Sequence, residues 1–140
     1  MDTIAPERSE AELQKTEKAI ADCVADFYGK ARKDDLLGPV FNAAVDDWDV
    51  HLRVVANFWS HVILKTDRYK GHPYVVHVHQ PIEPQHFPRW LALFEESARK
   101  FLSPAEADIA LGKARHMAES FKAGLFPFRD KDGNPAKHPG

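Results

Sequence analysis

One stretch of the chain is unusually rich in imidazole: of eight histidines in 140 residues, most fall between positions 51 and 86, and aromatic side chains crowd the same region. Imidazole among aromatics points to a metal or a metal-bearing cofactor, since a neutral ring nitrogen is a common ligand and apolar neighbours keep water away. His77 stands out. It lies in Tyr74-Val75-Val76-His77-Val78-His79, between a stiff Gly71-His72-Pro73 entry and an exit at Pro81. A porphyrin buries a large apolar disc, so a histidine among valines suits haem iron better than one among carboxylates.

Two other readings use the same residues. His77 and His79, with His72 and His86 nearby, offer nitrogen ligands for zinc, but the sequence has no cysteine pair and no histidine–glutamate helix motif to complete a tetrahedral set. Taken alone, a histidine in a short apolar segment is more often an ordinary packed or solvated side chain. The molecule would then be a helical interaction module with incidental histidines. His72 and His79 are expected to face solvent.

A second group of residues is Tyr28, His51 and Trp90. Tyr28 and Trp90 each join a large apolar body to one donor, which suits a pocket where a small polar ligand sits among apolar walls. Each of the three, alone, also fits plain core packing. Together they can set three hydrogen-bond donors around one buried point.

Four substantial helices must position these groups. Ser9-Glu10-Ala11-Glu12 reads as a capping box. A first helix from there to about Lys33 carries Leu13, Ile20, Val24, Phe27 and Ala31 on its inner stripe, with Tyr28 at the end. Gly38-Pro39 ends or redirects it, and Phe41 begins a short connection. Asp46 or Asp47 caps a second helix over 48–64, in which His51, Val55, Phe58 and Val62 share one face flanked by Trp48 and Trp59. Residues 65–73 read as a loop. Residues 74–79 are β-branched, aromatic and alternating, so local propensity favours a strand there. A third helix over 87–102 turns Phe87, Trp90, Leu91, Phe94, Ala98 and Phe101 inward. Ser103-Pro104-Ala105-Glu106 is the strongest local signal: N-cap, proline at the first helical position, and glutamate at the third. The last helix, to about Gly124, turns Ala110, Ala114, Met117 and Phe121 inward. The resulting class is all-α: a leader at 1–8, one domain at 9–126, and a tail at 127–140 expected to fray.

Composition closes off other classes. Nineteen basic and 21 acidic side chains are interspersed and leave a net charge of −2, so no basic stripe exists for a nucleic acid. No apolar run is long enough to span a bilayer, and the N-terminal residues lack the features of a secretory signal. Cys23 is the single cysteine, which excludes an intramolecular disulfide and makes the cytoplasm the default expectation.

Taken in order, several stretches resemble the third group of truncated haemoglobins. They are Phe27-Tyr28-Gly29-Lys30-Ala31-Arg32-Lys33-Asp34, Leu37-Gly38-Pro39-Val40-Phe41-Asn42, Trp48-Asp49-Val50-His51, Asn57-Phe58-Trp59, Gly71-His72-Pro73-Tyr74-Val75-Val76-His77, and Phe87-Pro88-Arg89-Trp90-Leu91-Ala92-Leu93-Phe94-Glu95-Glu96-Ser97. Each string is weak; the ordered set, covering about residues 20–122, is strong. The resemblance implies a two-over-two helical sandwich around b-type haem. It implies His77 as the proximal ligand, Tyr28, His51 and Trp90 as distal polar residues, and Phe41, Val55 and Phe58 as apolar haem contacts. It also implies a short helix bearing His77, against local propensity. Dioxygen, carbon monoxide and nitric oxide are the implied ligands, with an unidentified reductase as a further partner. Peroxidase-like or nitric-oxide dioxygenase activity stays open, and the leader and tail fall outside the resemblance.

Overall fold

The structure, a computed structural model, describes residues 9–73, 77 and 80–137. The leader at 1–8, His79 and the rest of the strand-like segment apart from His77 lie outside the described residues. Among the described residues, the helices with full bounds are α1 (Glu10–Ala31), α2 (Gly38–Ala44), α3 (Trp48–Leu64), α4 (His86–Phe101) and α5 (Pro104–Leu125).

The two longest helices start by the same device. Ser9 Oγ accepts from the Glu12 amide at 3.1 Å while the Glu12 carboxylate reaches back to Ser9. Ser103 Oγ accepts from the Glu106 amide at 3.2 Å, and the Ser103 amide donates to Glu106 at 3.1 Å. Each box satisfies amides that a helix start leaves without intrahelical partners. At α3 it is Asp47 that caps, accepting from the amides of Asp49 and Val50. That helix stops where Lys65 turns left-handed at φ 63°.

Packing follows the apolar stripes. Helix α1 lies against α3 and α4, and α5 lies against α4 and α3, which makes two layers of two helices. Ile20, Val24 and Phe27 meet Trp59 and Ile63 from α3, Phe94 and Ala98 from α4, and Leu111 from α5. Ala107, Ala110 and Ala114 have no exposed surface, so their small side chains let α5 approach its neighbours closely. A second cluster joins Ile82 and Phe87 to Phe121, Leu125 and Phe126. No helix among the described residues is long and apolar enough to cross a membrane.

Four details depart from the sequence reading. Leu13 is not in the core: it is 39% exposed and lines an open surface groove with Leu64 and Arg68. Helix α1 ends at Ala31, two residues before Lys33, and the supposed connection after Gly38-Pro39 is α2, with the proline in its first turn. Proline has no amide to lose there and its φ already suits a helix. His77 and Pro73 are both helical, so the strand propensity of this segment does not hold at His77. The tail carries a minimal antiparallel ladder, β1 (Phe128–Arg129) with β2 (Pro135–Ala136). Asp130 organises its turn by accepting from the amides of Asp132 and Asn134 at 2.9 Å.

Gly38 closes the α1–α2 corner, its amide donating to the Asp34 carbonyl at 2.8 Å. A Cβ at this position would lie 2.8 Å from the Arg32 carbonyl oxygen, a backbone atom that cannot swing aside. Gly38→Ala is therefore expected to destabilise the protein by about 1–3 kcal/mol, measurable as a lower urea midpoint at unchanged slope. An unchanged midpoint would mean that the corner relaxes freely.

Candidate functional site

The four-residue spacing from Pro73 to His77 sets the ring. His77 Nδ1 lies 2.5 Å from the Pro73 carbonyl oxygen. A carbonyl can only accept, so Nδ1 carries the proton and Nε2 keeps its lone pair for a metal. Phe121 of α5 supports the ring from one side, with centroids 5.1 Å apart. No sequence signal marked Phe121 for this role, only its place on the inner face of α5.

Across from this element, α1, α2 and α3 bring Tyr28, Phe41, Trp48 and His51 together. The His51 ring stands edge-on to Tyr28 at 5.0 Å and to Trp48 at 5.6 Å, and Phe41 meets Tyr28 at 5.3 Å. His51 Nε2 is buried and has no hydrogen-bond partner among the described residues. Burial, and then the charge of nearby His77, hold the His51 pKa below the ordinary histidine value, so His51 is neutral at pH 7. Burial pushes the Tyr28 phenol up; it stays protonated and able to donate.

Trp90 joins this group less directly. Its ring packs on Phe94 and on Phe27 at 6.2 Å, and Phe27 in turn touches Tyr28 at 4.9 Å. Val55 and Phe41 are half-buried against the main core, while Phe58 is 9% exposed. Of the sequence-derived residues, Tyr28 thus meets Phe41 and His51 directly, and Trp90 stands one ring removed from Tyr28 through Phe27. Among the described residues no three histidine, cysteine or acidic side chains converge to hold a metal. His86 is engaged locally, its Nδ1 accepting from the Glu83 amide at 2.7 Å.

Several positioning groups were not legible in the sequence. Trp48, read as a flanking residue, touches both Tyr28 and His51 and is covered by the Arg32 guanidinium 4.2 Å above its ring. Asp34 accepts from the amides of Leu36 and Leu37 and binds Arg89, whose Nε donates at 2.7 Å. Arg89 precedes Trp90, so this pair ties the end of the Tyr28 helix to the first turn of α4. The Arg89 hydrogen bond, outweighing partial burial, holds the Asp34 carboxyl below the usual carboxylate range. A depressed carboxyl stabilises the fold above the ordinary aspartate pKa and loses that contribution as pH falls through its folded value. Asp34→Asn is expected to flatten the acid limb of a plot of Tm against pH. An acid limb as steep as the parent's would remove this role.

A group 3 truncated hemoglobin from Campylobacter jejuni is 34% identical over 117 residues, spanning 80% of this chain and 92% of the relative. This chain belongs to the group III truncated haemoglobins. The crystal structure of a group III truncated hemoglobin from Campylobacter jejuni superposes with a TM-score of 0.74 at 31% identity, covering 94% of this chain and 99% of the other. No family model matches the sequence. The helical sandwich described above is thus the truncated-haemoglobin fold, and membership carries with it a haem-related, oxygen-related role.

Proposed function

We propose that this truncated haemoglobin holds haem b with His77 as the proximal iron ligand, and binds small diatomic ligands on the face lined by Tyr28, His51 and Trp90. The observation that carries the reading is the buried His51 Nε2 without a partner among the described residues. An orphaned polar atom in a fold costs about 1–3 kcal/mol, and it is tolerated where a ligand completes it. The donor set agrees: His77 presents Nε2 while the Pro73 carbonyl fixes its tautomer, and Phe41 and Val55 are apolar surface only half covered by the fold. A porphyrin disc would cover that surface.

Bound haem would supply an iron centre with one open position for dioxygen, carbon monoxide or nitric oxide. The chain supplies the rest. Pro73 and Phe121 orient the His77 ring. Tyr28 offers an O–H and Trp90 an N–H, and neutral His51 can donate or accept. A donor favours a ligand that carries negative charge over an uncharged one such as carbon monoxide. Retention rather than delivery follows, which suits scavenging, sensing or redox chemistry, with electrons from an external reductase.

The test is an absorption spectrum of protein purified from cells supplied with iron and a porphyrin precursor. An intense Soret band that shifts with carbon monoxide is expected. Colourless protein with stoichiometric zinc would replace this reading with the metal-site alternative.

A further inference from the structure

The core holds an aromatic array that ligand binding does not use. The ring planes of Trp90 and Phe94 are 4° apart at 5.6 Å, and those of Phe94 and Trp59 are 20° apart at 4.7 Å. Two indoles therefore face each other across one phenyl ring. Trp59 continues to Phe58 at 5.0 Å, and Phe58 to Tyr69 at 5.1 Å. Trp59, Phe94 and Phe58 are buried, whereas Tyr69 is half-buried after the end of α3. Edge-on contact satisfies ring packing in this core, as Phe27 shows with all its neighbours. Among the described residues the stacked pairs are the two that link Trp90 to Trp59.

We propose that Trp90, Trp59 and Tyr69 form an electron relay, bridged by Phe94 and Phe58, that connects the donor-lined pocket to solvent. Indole and phenol are the aromatic side chains that give up one electron most readily. Phenyl does not, but a stacked phenyl supplies π overlap between two that do. In the direction of use, the pocket reduces an organic or hydrogen hydroperoxide, which takes two electrons and two protons to give an alcohol or water plus a further water. One electron leaves Trp90, is replaced from Trp59, and is replaced in turn from Tyr69. Tyr69 passes its phenolic proton to water, and a diffusible one-electron donor such as ascorbate restores it, with proton return from water. Two such passages balance one hydroperoxide. The peroxide step rests on the haem reading above; electron transfer along the rings does not.

Pulse radiolysis of the full-length purified protein with azidyl radicals separates these two claims, because azidyl oxidises tryptophan whether or not haem is bound. The tryptophanyl absorption should decay in a first-order step, independent of protein concentration, while tyrosyl absorption grows at the same rate. In Tyr69→Phe the coupled tyrosyl growth should be lost, and in Phe58→Leu it should slow. The chain has three tyrosines, Tyr28, Tyr69 and Tyr74, and Tyr28 lies 5.6 Å from Trp48, a separate route to a tyrosyl radical, so parent and variants are compared in a Trp48→Phe background. In that background the growth should persist in Tyr28→Phe. Growth unchanged in Tyr69→Phe, growth lost in Tyr28→Phe instead, or no coupled growth in the parent each overturns the relay. Tyr69→Phe deletes only the hydroxyl of a half-buried residue and leaves the ring, so its folding can be confirmed by an unchanged Tm.

Discussion

Replacing His77 with alanine is expected to yield a protein that folds but purifies without a Soret band, under conditions in which the parent is red. The argument is one of ligand supply. The other histidines among the described residues are placed elsewhere: His51 stands beside Tyr28 and Trp48, His61 is hydrogen-bonded to the Thr66 carbonyl at 2.6 Å, His86 is held by the Glu83 backbone, and His72 and His116 are exposed. Nothing described stands ready to replace the His77 nitrogen, whose ring is aimed by Pro73 and Phe121. The fold should tolerate the change, since His77 is only half-buried and its hydrogen bond is local. The check is the ratio of Soret to protein absorbance, together with far-ultraviolet circular dichroism. A haem-replete variant with parent-like spectra would mean that another residue holds the iron.

The second large effect is expected from Tyr28→Phe, which keeps the ring contacts with Phe27, Phe41, Trp48 and His51 and removes only the hydroxyl. A hydrogen bond to a charged acceptor contributes about 1.5–3 kcal/mol, so loss of this donor should speed dioxygen dissociation by roughly ten- to hundred-fold. Carbon monoxide dissociation and haem retention should change little, because neither depends on a donor to a charged ligand. Stopped-flow ligand replacement measures both rates. Equal dioxygen rates in parent and variant would assign donation to Trp90 or His51 instead.

Legibility from the sequence followed the range of the forces involved. The capping boxes at Ser9 and Ser103 and the cap before α3 are contained within four residues, and each is present as read. The same locality misled the reading elsewhere. Pro39 looks like a terminator but sits in the first turn of α2. The valines around His77 favour a strand in isolation, yet Pro73 and His77 are helical and hydrogen-bonded to one another, so tertiary context overrides propensity there. The Gly/Pro/Asp-rich tail reads as frayed because composition cannot show that one aspartate, Asp130, will bind two amides of its own turn.

At the site, residue types were legible and partnerships were not. Tyr28 and His51 announce themselves by chemistry and helical phase, Phe41 only through the family resemblance, and Tyr28 meets both. The groups that fix their spacing are joined across the fold: Asp34 to Arg89 over 55 residues, and Asp26 to Ser97, at 2.7 Å, over 71. A single sequence records each partner as an ordinary polar residue. The same holds for the stacked Trp90, Phe94 and Trp59, whose spacing reads as core and whose parallel planes exist only in three dimensions.

The proposed bond between iron and the imidazole at position 77 is tested most directly by resonance Raman spectroscopy of the reduced, ligand-free protein. The account predicts an iron–histidine stretching line that shifts when the protein is made with isotope-labelled histidine, disappears in His77→Gly, and returns when free imidazole is added to that variant. A line that survives in His77→Gly without added imidazole, or that never responds to the label, would contradict it.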